Sequence, residues 1–335
     1  MPVVVRSFAK INIGLSIGPL RDDKFHELRT IYQTLALHDL IRVEAFRGTG
    51  IEIVCKDSRV PTDERNTCWR ITERTLKALK VRKKIRITIQ KNLPVQGGMG
   101  GGSSNAVATM LALEKALKRK LTPEERLRIA AEVGSDLPLF LIGGTILGVG
   151  RGEQVYALED LPGIQCVTAT PAIGVSTPAA FADWDKKQQT SGKLTLPGGS
   201  ATMNSLGHSV YAWLSGSRFT ATGVPAKARD RAEALLLDLV RTGIENDFES
   251  VVFPKYPEIR KVKRVLERSG AAYASLSGSG ATVYGLFDRK EAVAKAVAAL
   301  KGAGVPAQAT ATLNRTQYWK MLFPSERTRK TGSLF

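Results

Sequence analysis

Ile85-Arg86-Ile87-Thr88-Ile89-Gln90-Lys91-Asn92-Leu93-Pro94-Val95-Gln96-Gly97-Gly98-Met99-Gly100-Gly101-Gly102-Ser103-Ser104 is the stretch on which the fold turns. Its isoleucines alternate with Arg86, Thr88 and Gln90, the period-two pattern of a half-buried strand. After Ser104, the residues Ala106, Val107, Met110, Leu111 and Leu117 make the apolar stripe of a helix. Between them lies a glycine-rich run opening on Pro94. Glycines let a backbone approach a ligand closely and take conformations that a Cβ forbids. At a helix start, free N–H groups and the helix dipole then form an anion site. Ser103 and Ser104 can add hydroxyl donors or cap the helix. Strand, loop and helix together are built for a di- or triphosphate. The loop is not of the GxxxxGK[ST] kind, because Gly102 stands where that motif needs lysine. Nor is it the dinucleotide fingerprint, whose glycine spacing it strains and whose βαβ unit does not follow.

Upstream, Val3–Ile17 is rich in β-branched residues and reads as strands, as do Leu40–Ala45 and Ile51–Cys55. Asn66 caps a predicted helix carrying Ile71, Leu76 and Leu79. Downstream, Thr122-Pro123-Glu124-Glu125 is a capping box opening a helix to about Val133. Gly143-Gly144 and Gly148–Gly152 punctuate a strand pair, and Leu161-Pro162-Gly163 reads as a junction, with a domain boundary near residue 158. The second half reads as a strand at Ile164–Thr170, a polar surface insertion at about 186–207, and helices at Ala226–Arg241 and Tyr256–Arg268. Strands at Ala272–Leu276 and Thr282–Phe287 flank the loop Ser277-Gly278-Ser279-Gly280. A helix near Glu291–Leu300 and a strand near Gln308–Leu313 follow, and residues 316–335 show no core pattern. The expected class is α+β, in two domains: 1–157 and 158–315, with 316–335 as a basic tail.

A chain of 335 residues suits about two domains. No apolar run approaches the roughly 18 residues of a membrane span, and Met1–Ser7 lacks the shape of a signal peptide. Three cysteines (Cys55, Cys68, Cys166) without CxxC spacing argue against a disulfide framework and a zinc site. His38 and His208 have no carboxylate or cysteine at metal-ligand spacing, so no protein metal site is expected. A cytoplasmic globular protein is the expectation. Against that ordinary background the charge stands out: 49 Lys and Arg against 31 Asp and Glu leave +18. Such an excess favours nucleic acid, a membrane surface or phosphorylated small molecules, and does not choose among them.

The run from Pro94 to Ser104 resembles the ATP loop of the GHMP kinase superfamily. Three other stretches are similar to one branch of it, the 4-diphosphocytidyl-2-C-methyl-D-erythritol kinase family: Ala9-Lys10-Ile11-Asn12-Ile13-Gly14-Leu15; Asp23-Lys24-Phe25-His26-Glu27-Leu28 with Thr30-Ile31-Tyr32-Gln33; and Gly134-Ser135-Asp136-Leu137-Pro138-Leu139-Phe140. Glu245-Asn246-Asp247-Phe248-Glu249 and Leu276-Ser277-Gly278-Ser279-Gly280-Ala281 also look like that family, and the order of the motifs is kept from residue 9 to about 282.

The resemblance implies an N-terminal ATP-binding domain of the ribosomal-S5-domain-2-like type and a C-terminal ferredoxin-like substrate domain. It implies transfer of the ATP γ-phosphoryl group to the 2-hydroxyl of a cytidine-diphosphate-linked methylerythritol, on the non-mevalonate route to isoprenoid precursors. Asp136 matches the catalytic aspartate and Lys10 the catalytic lysine. ATP would lie on Pro94, Val95, Gln96, Gly97, Gly98, Met99, Gly100, Gly101, Gly102, Ser103 and Ser104, with Mg²⁺ arriving on its phosphates and no protein ligand named for the metal. Phe25 and His26 match the positions that hold the cytosine ring, with Asn12, Asp136, Thr177 and Phe181 completing the substrate set. The family usually shows Asp-Gly-Tyr-His where this chain has Asp23-Lys24-Phe25-His26; stacking survives the change and a phenol hydrogen bond does not. The implied partner is a small molecule, with neither nucleic acid nor membrane, and the chain is expected to be a monomer or homodimer. Two alternatives stand beside this reading. One is another GHMP kinase acting on homoserine, mevalonate or a sugar; the other is an RNA-binding protein, which the charge would suit.

Overall fold

A computed structural model describes residues 2–190 and 243–324, together with Leu236 and Leu239. The chain opens with two long antiparallel strands, β1 (Val3–Leu20) and β2 (His26–Phe46). β3 (Gly50–Cys55), helix α1 (Thr67–Ala78), β4 (Lys84–Gln90), α2 (Gly101–Leu117) and α3 (Pro123–Val133) follow. A 3₁₀ turn at Pro138–Leu141 leads to β5 (Thr145–Gly150) and β6 (Gln154–Ala157). β2 organises this first sheet. One edge of β2 takes β1; the other is shared, with residues 40–46 pairing to β4 and residues 28–33 to β5. β3 adds parallel to β4, and β6 antiparallel to β5.

The alternation read in Ile85, Ile87 and Ile89 is what β4 shows: all three are buried while Arg86, Thr88 and Gln90 are not. Full burial of each isoleucine stabilises the sheet by about 1.5–3 kcal/mol. These side chains pack with Val107, Met110, Leu111 and Leu113 of α2 and Ile71 of α1 in the first core. Asn66 caps α1 through its side chain to Cys68 N, and Thr122 with Glu125 forms the capping box of α3.

The second half is a four-stranded antiparallel sheet in the order β10-β7-β9-β8, with β7 (Gln165–Ala169), β8 (Tyr273–Leu276), β9 (Val283–Phe287) and β10 (Ala307–Ala311). Helices α4 (Thr177–Thr190), α5 (Glu249–Lys255), α6 (Pro257–Arg268) and α7 (Lys290–Gly302) accompany it. Ile259, Val262 and Leu266 of α6 and Val293, Ala296 and Leu300 of α7 build its core with Val167, Val283 and Phe287. A third apolar cluster joins the halves: Ile11, Ile13, Ile31 and Leu35 of β1 and β2 lie against Cys166, Tyr284 and Leu286 of the second sheet. β1 is therefore buried on both faces.

Two regions differ from the sequence reading. Residues 186–190 continue helix α4 instead of beginning an insertion; most of the expected insertion and the expected helix at 226–241 lie outside the described residues. Residues 316–322, read as the start of a tail, form with Arg315 helix α8 (Arg315–Leu322), which packs on the first core through Tyr318 and Leu322. Tyr318 OH donates to Phe140 O at 2.7 Å, and an Arg6 guanidinium N–H donates to Met321 O at 2.6 Å. Gly143 makes room for it, since a Cβ there would lie 2.4 Å from the Tyr318 ring. Two apolar anchors in eight residues are too few for a sequence pattern to reveal. Among the described residues no helix is long and apolar enough to cross a membrane.

Candidate active site

The glycine-rich loop meets α2 at Gly100, whose φ of 69° lies in the left-handed region. The first helical bond runs from Ser104 N to Gly100 O at 2.8 Å. The N–H groups of Gly101, Gly102 and Ser103 therefore lack partners within the helix and form the donor end of its dipole. The preceding carbonyls are turned into the protein. Gly97 O accepts from Thr282 N (3.2 Å), Gly98 O from Ser277 Oγ (3.0 Å) and Met99 O from Lys10 N (3.0 Å). With its acceptors tied back, the loop can offer donors to an anion.

The residues of this run divide by direction. Gly102 is exposed, and a Cβ on it would find nothing nearer than 3.6 Å. Gly98 has φ of 77°, and a Cβ there would lie 2.3 Å from Ser277 O; one on Gly97 would lie 2.8 Å from Thr282 Oγ1. Both positions need glycine because another segment of the chain approaches closely. Met99 is buried in the seam between the halves, and Ser104, 2.7 Å from Ser7 Oγ, faces inward. Upstream, the fully buried Asp39 accepts from Lys91 Nζ (2.5 Å), Asn92 N (2.7 Å) and Leu93 N (2.8 Å), anchoring the strand end from which the loop departs. At the start of the loop, Leu93, Pro94, Val95 and Gln96 line a groove of about 880 Å³ with Thr168, residues 170–174 and part of the 297–308 segment.

Lys10 and Asn12, two residues apart on β1, share a face beside this loop. Lys10 is only 3% exposed, and a buried ammonium needs partners. It has two: Asn12 Oδ1 at 2.7 Å and Asp136 Oδ2 at 3.4 Å. Asn12 is oriented in turn by Thr30, through Nδ2 to Oγ1 at 2.7 Å, and Thr30 donates to Gly14 O at 2.8 Å. Asp136 sits on the turn after α3, held by the buried Leu137, Leu139 and Phe140, and is itself partly open to solvent. Its other oxygen accepts from Tyr32 OH at 3.1 Å.

Asn246 completes the frame. Its Nδ2 donates to Leu276 O (2.9 Å) and Gly278 O (2.8 Å), fixing the 277–280 loop. The same segment is stitched to β1: Leu15 N donates to Glu245 O, and Ile17 N to Asp247 Oδ2. The loop comes close to the charged pair, since a Cβ on Gly278 would stand 3.5 Å from Asn12 Oδ1 and 3.7 Å from Lys10 Nζ. Asn246 and Tyr32 sit in motifs visible in the sequence, yet nothing in the sequence marks either as a site residue. Thr177 Oγ1 lies 2.8 Å from Ser279 Oγ, and a cavity of about 500 Å³ there is lined by Gln96, Gly98, Thr177, Ser279 and Gly280.

The aromatic residues Phe25, His26 and Phe181 differ in exposure. Phe25, on the β1–β2 turn, is 52% exposed, with the Arg151 guanidinium 5.0 Å from its ring centre. His26 is buried; its Nδ1 lies 3.0 Å from Gly18 O and its Nε2 3.1 Å from Asp185. Phe181 stacks on His26 (5.2 Å, 4° between planes) and meets Phe248 edge-on (4.9 Å). His26 and Phe181 thus each cover one face of the other. Among the described residues, no three His, Cys, Asp or Glu side chains gather as a metal cluster.

Comparison with known proteins follows the same lines. The GHMP kinases N terminal domain family matches residues 66–144, and the GHMP kinases C terminal family matches residues 228–305. The chain is 34% identical to the 4-diphosphocytidyl-2-C-methyl-D-erythritol kinase of Solibacter usitatus, over 88% of this chain and 84% of that one. It is also 34% identical to the enzyme of that name from Rhodococcus jostii, over 91% and 90%. A crystal structure of 4-(cytidine 5'-diphospho)-2C-methyl-D-erythritol kinase superposes with a TM-score of 0.67 at 25% identity, covering 93% of this chain and 99% of that one. Homoserine kinase from Cytophaga hutchinsonii, at 19% identity and a TM-score of 0.65, covers 95% and 96% and shares the fold. The chain is a small-molecule kinase of the GHMP fold and belongs to the 4-diphosphocytidyl-2-C-methyl-D-erythritol kinase family.

Proposed function

We propose that the chain transfers the γ-phosphoryl group of Mg-ATP to the 2-hydroxyl of 4-diphosphocytidyl-2-C-methyl-D-erythritol. The observation that carries this reading is the buried Lys10, 3.4 Å from Asp136, beside a helix start with unpaired N–H groups. Donors, cation and carboxylate are what phosphoryl transfer asks of a protein, since its work is positioning and charge neutralisation. Bound Mg-ATP supplies the transferable group, and its metal is carried on the phosphates. Gly101, Gly102 and Ser103 present N–H donors to the phosphate chain. Asp136 orients the acceptor hydroxyl and takes its proton as the new P–O bond forms. Lys10 meets the negative charge that develops between them, at a place where few waters screen it.

Asn12 on β1 and Thr177 on α4 approach the 277–280 loop from the two halves, beside Gly278 and Ser279 respectively, and Phe25 offers its exposed ring to the cytosine. The substrate therefore lies at the seam, drawing on residues before and after the proposed boundary near 158. The reading places the enzyme in the cytoplasm, where ATP is available.

ADP release from Mg-ATP tests this, measured with the cytidylated substrate, without it, and with the cytidine-free sugar phosphate. Release that depends on the cytidylated compound is expected. Release only with other small alcohols would leave the kinase chemistry and overturn the substrate. Asp136→Asn should lower turnover by about 100-fold or more; a near-normal rate would remove Asp136 from the chemistry.

A further inference from the structure

The hydroxyl of Tyr32 is spent on Asp136, and the protein makes unusual room for it. Tyr32 is only 2% exposed, and its ring packs into the first core. The ring occupies a slot cut by two glycines: a Cβ on Gly148 would stand 2.4 Å from its Cε2, and a Cβ on Gly152 2.4 Å from its phenol oxygen. The oxygen donates to Asp136 Oδ1 at 3.1 Å, while Lys10 holds Oδ2 at 3.4 Å. The Lys10 ammonium also lies 5.5 Å from the centre of the Tyr32 ring. Tyr32, Asp136 and Lys10 therefore form a closed triangle in which each touches the other two. Burial, reinforced by the Asp136 charge, pushes the phenol well above the usual tyrosine range, so it remains a donor throughout the working pH range.

We propose that Tyr32 is a positioning residue for the phosphoryl-transfer step, holding the Asp136 carboxylate in the one rotamer that faces both Lys10 and the acceptor hydroxyl. The inference rests on the reading of Asp136 given above. A carboxylate on a turn, a third exposed, has rotational freedom that a single ion pair does not remove. A second bond from a rigid, buried donor removes it before substrate binds. Orientation of this kind acts on the chemical step and leaves ground-state binding alone.

Tyr32→Phe keeps the ring and deletes only the donor. The expected result is a kcat about tenfold lower, with KM for ATP and for the alcohol unchanged, because one lost charge-assisted hydrogen bond is a tenfold effect or somewhat more. In an Asp136→Asn background the same change should cost nothing further. Gly152→Ala supplies an independent arm. Its methyl would displace the phenol oxygen in the wild type, but in Tyr32→Phe the nearest ring atom lies at 3.7 Å, an ordinary contact. Gly152 has φ of 96°, so an alanine there is strained in both backgrounds, and Gly152→Ala should lower kcat by a clearly larger factor in the wild type than in Tyr32→Phe. An unchanged kcat for Tyr32→Phe, an equal fractional loss in the Asp136→Asn background, or equal losses for Gly152→Ala with and without the phenol would each overturn the proposal. Asp136→Asn alone separates the two readings: normal turnover there fails the Asp136 assignment itself, whatever Tyr32 does.

Discussion

The two ends of the site are held in opposite ways. At the phosphate end, three successive carbonyls are bonded to other segments, two glycines have no room for a methyl group, and Asp39 grips the incoming strand at three points. At the aromatic end, Phe25 projects from a turn, and His26 and Phe181 stack on each other with Asp185 closing the edge. The first end is over-determined by the protein and is preorganised for an anion. The second satisfies itself with contacts that a planar ring could replace. Under the proposed function, rigidity resides where charge is to be placed, and adaptability where a flat apolar surface is to be recognised.

This contrast can be broken most severely at Asp39. Asp39→Ala leaves Lys91 buried without its partner and the loop entry untied, and should cost about 3–5 kcal/mol of stability, read by denaturant unfolding. A loss below about 1 kcal/mol would show that the anchor is dispensable. A finer cut lies within the loop. Gly98→Ala should destabilise by about 2 kcal/mol or more, since the methyl meets the Ser277 carbonyl. Gly102→Ala should hold or gain up to about 1 kcal/mol as a helix substitution, yet raise KM for ATP. Equal effects at the two positions would end the distinction between packing glycines and ligand-facing ones.

At the other end, Phe25→Ala should leave the melting temperature unchanged and raise KM for the cytidylated substrate about tenfold, the value of one base–aromatic stack. An unaltered KM would take the cytosine off this ring. The smallest effect belongs to His38, whose backbone carbonyl accepts from Asn92 Nδ2 beside the loop entry. Burial pushes His38 below its ordinary value, so as pH falls through about 6.5 the unfolded chain takes up a proton before the native one does. Native stability contributed here is present at neutral pH and lost on acidification. His38→Gln should therefore lose less melting temperature than the wild type between about pH 7.5 and pH 5.5.

Much of this was legible in the chain because the signals are local. Ile85, Ile87 and Ile89 announce a strand through a period of two, and Thr122 with Glu125 a helix start through spacing alone. The loop between Gln90 and Ser104 carries its anion chemistry in its composition. Lys10, Asn12 and Asp136 were identified through motif resemblance, not through any pattern that physics alone would single out. Tyr32 was passed over because an aromatic on a strand reads as core, which it also is. Helix α8 is not legible in the sequence because Tyr318 acquires meaning only against Phe8 and Phe140, more than 170 residues away.

The amino-acid sequence by itself determined most of the strands and helices, the glycine-rich composition of residues 94–104 between a strand and a helix, and the family to which its motifs point. Only the tertiary structure decided which glycines are packed against Ser277 and Thr282 and which face open space. It also decided that Asp136 is held from both sides, and that Phe181 lies on His26. The reason is range: hydrogen bonding and periodicity along a strand or helix act over a few residues. The direction in which a side chain spends its polar atoms depends on neighbours that the folded topology brings from far along the chain.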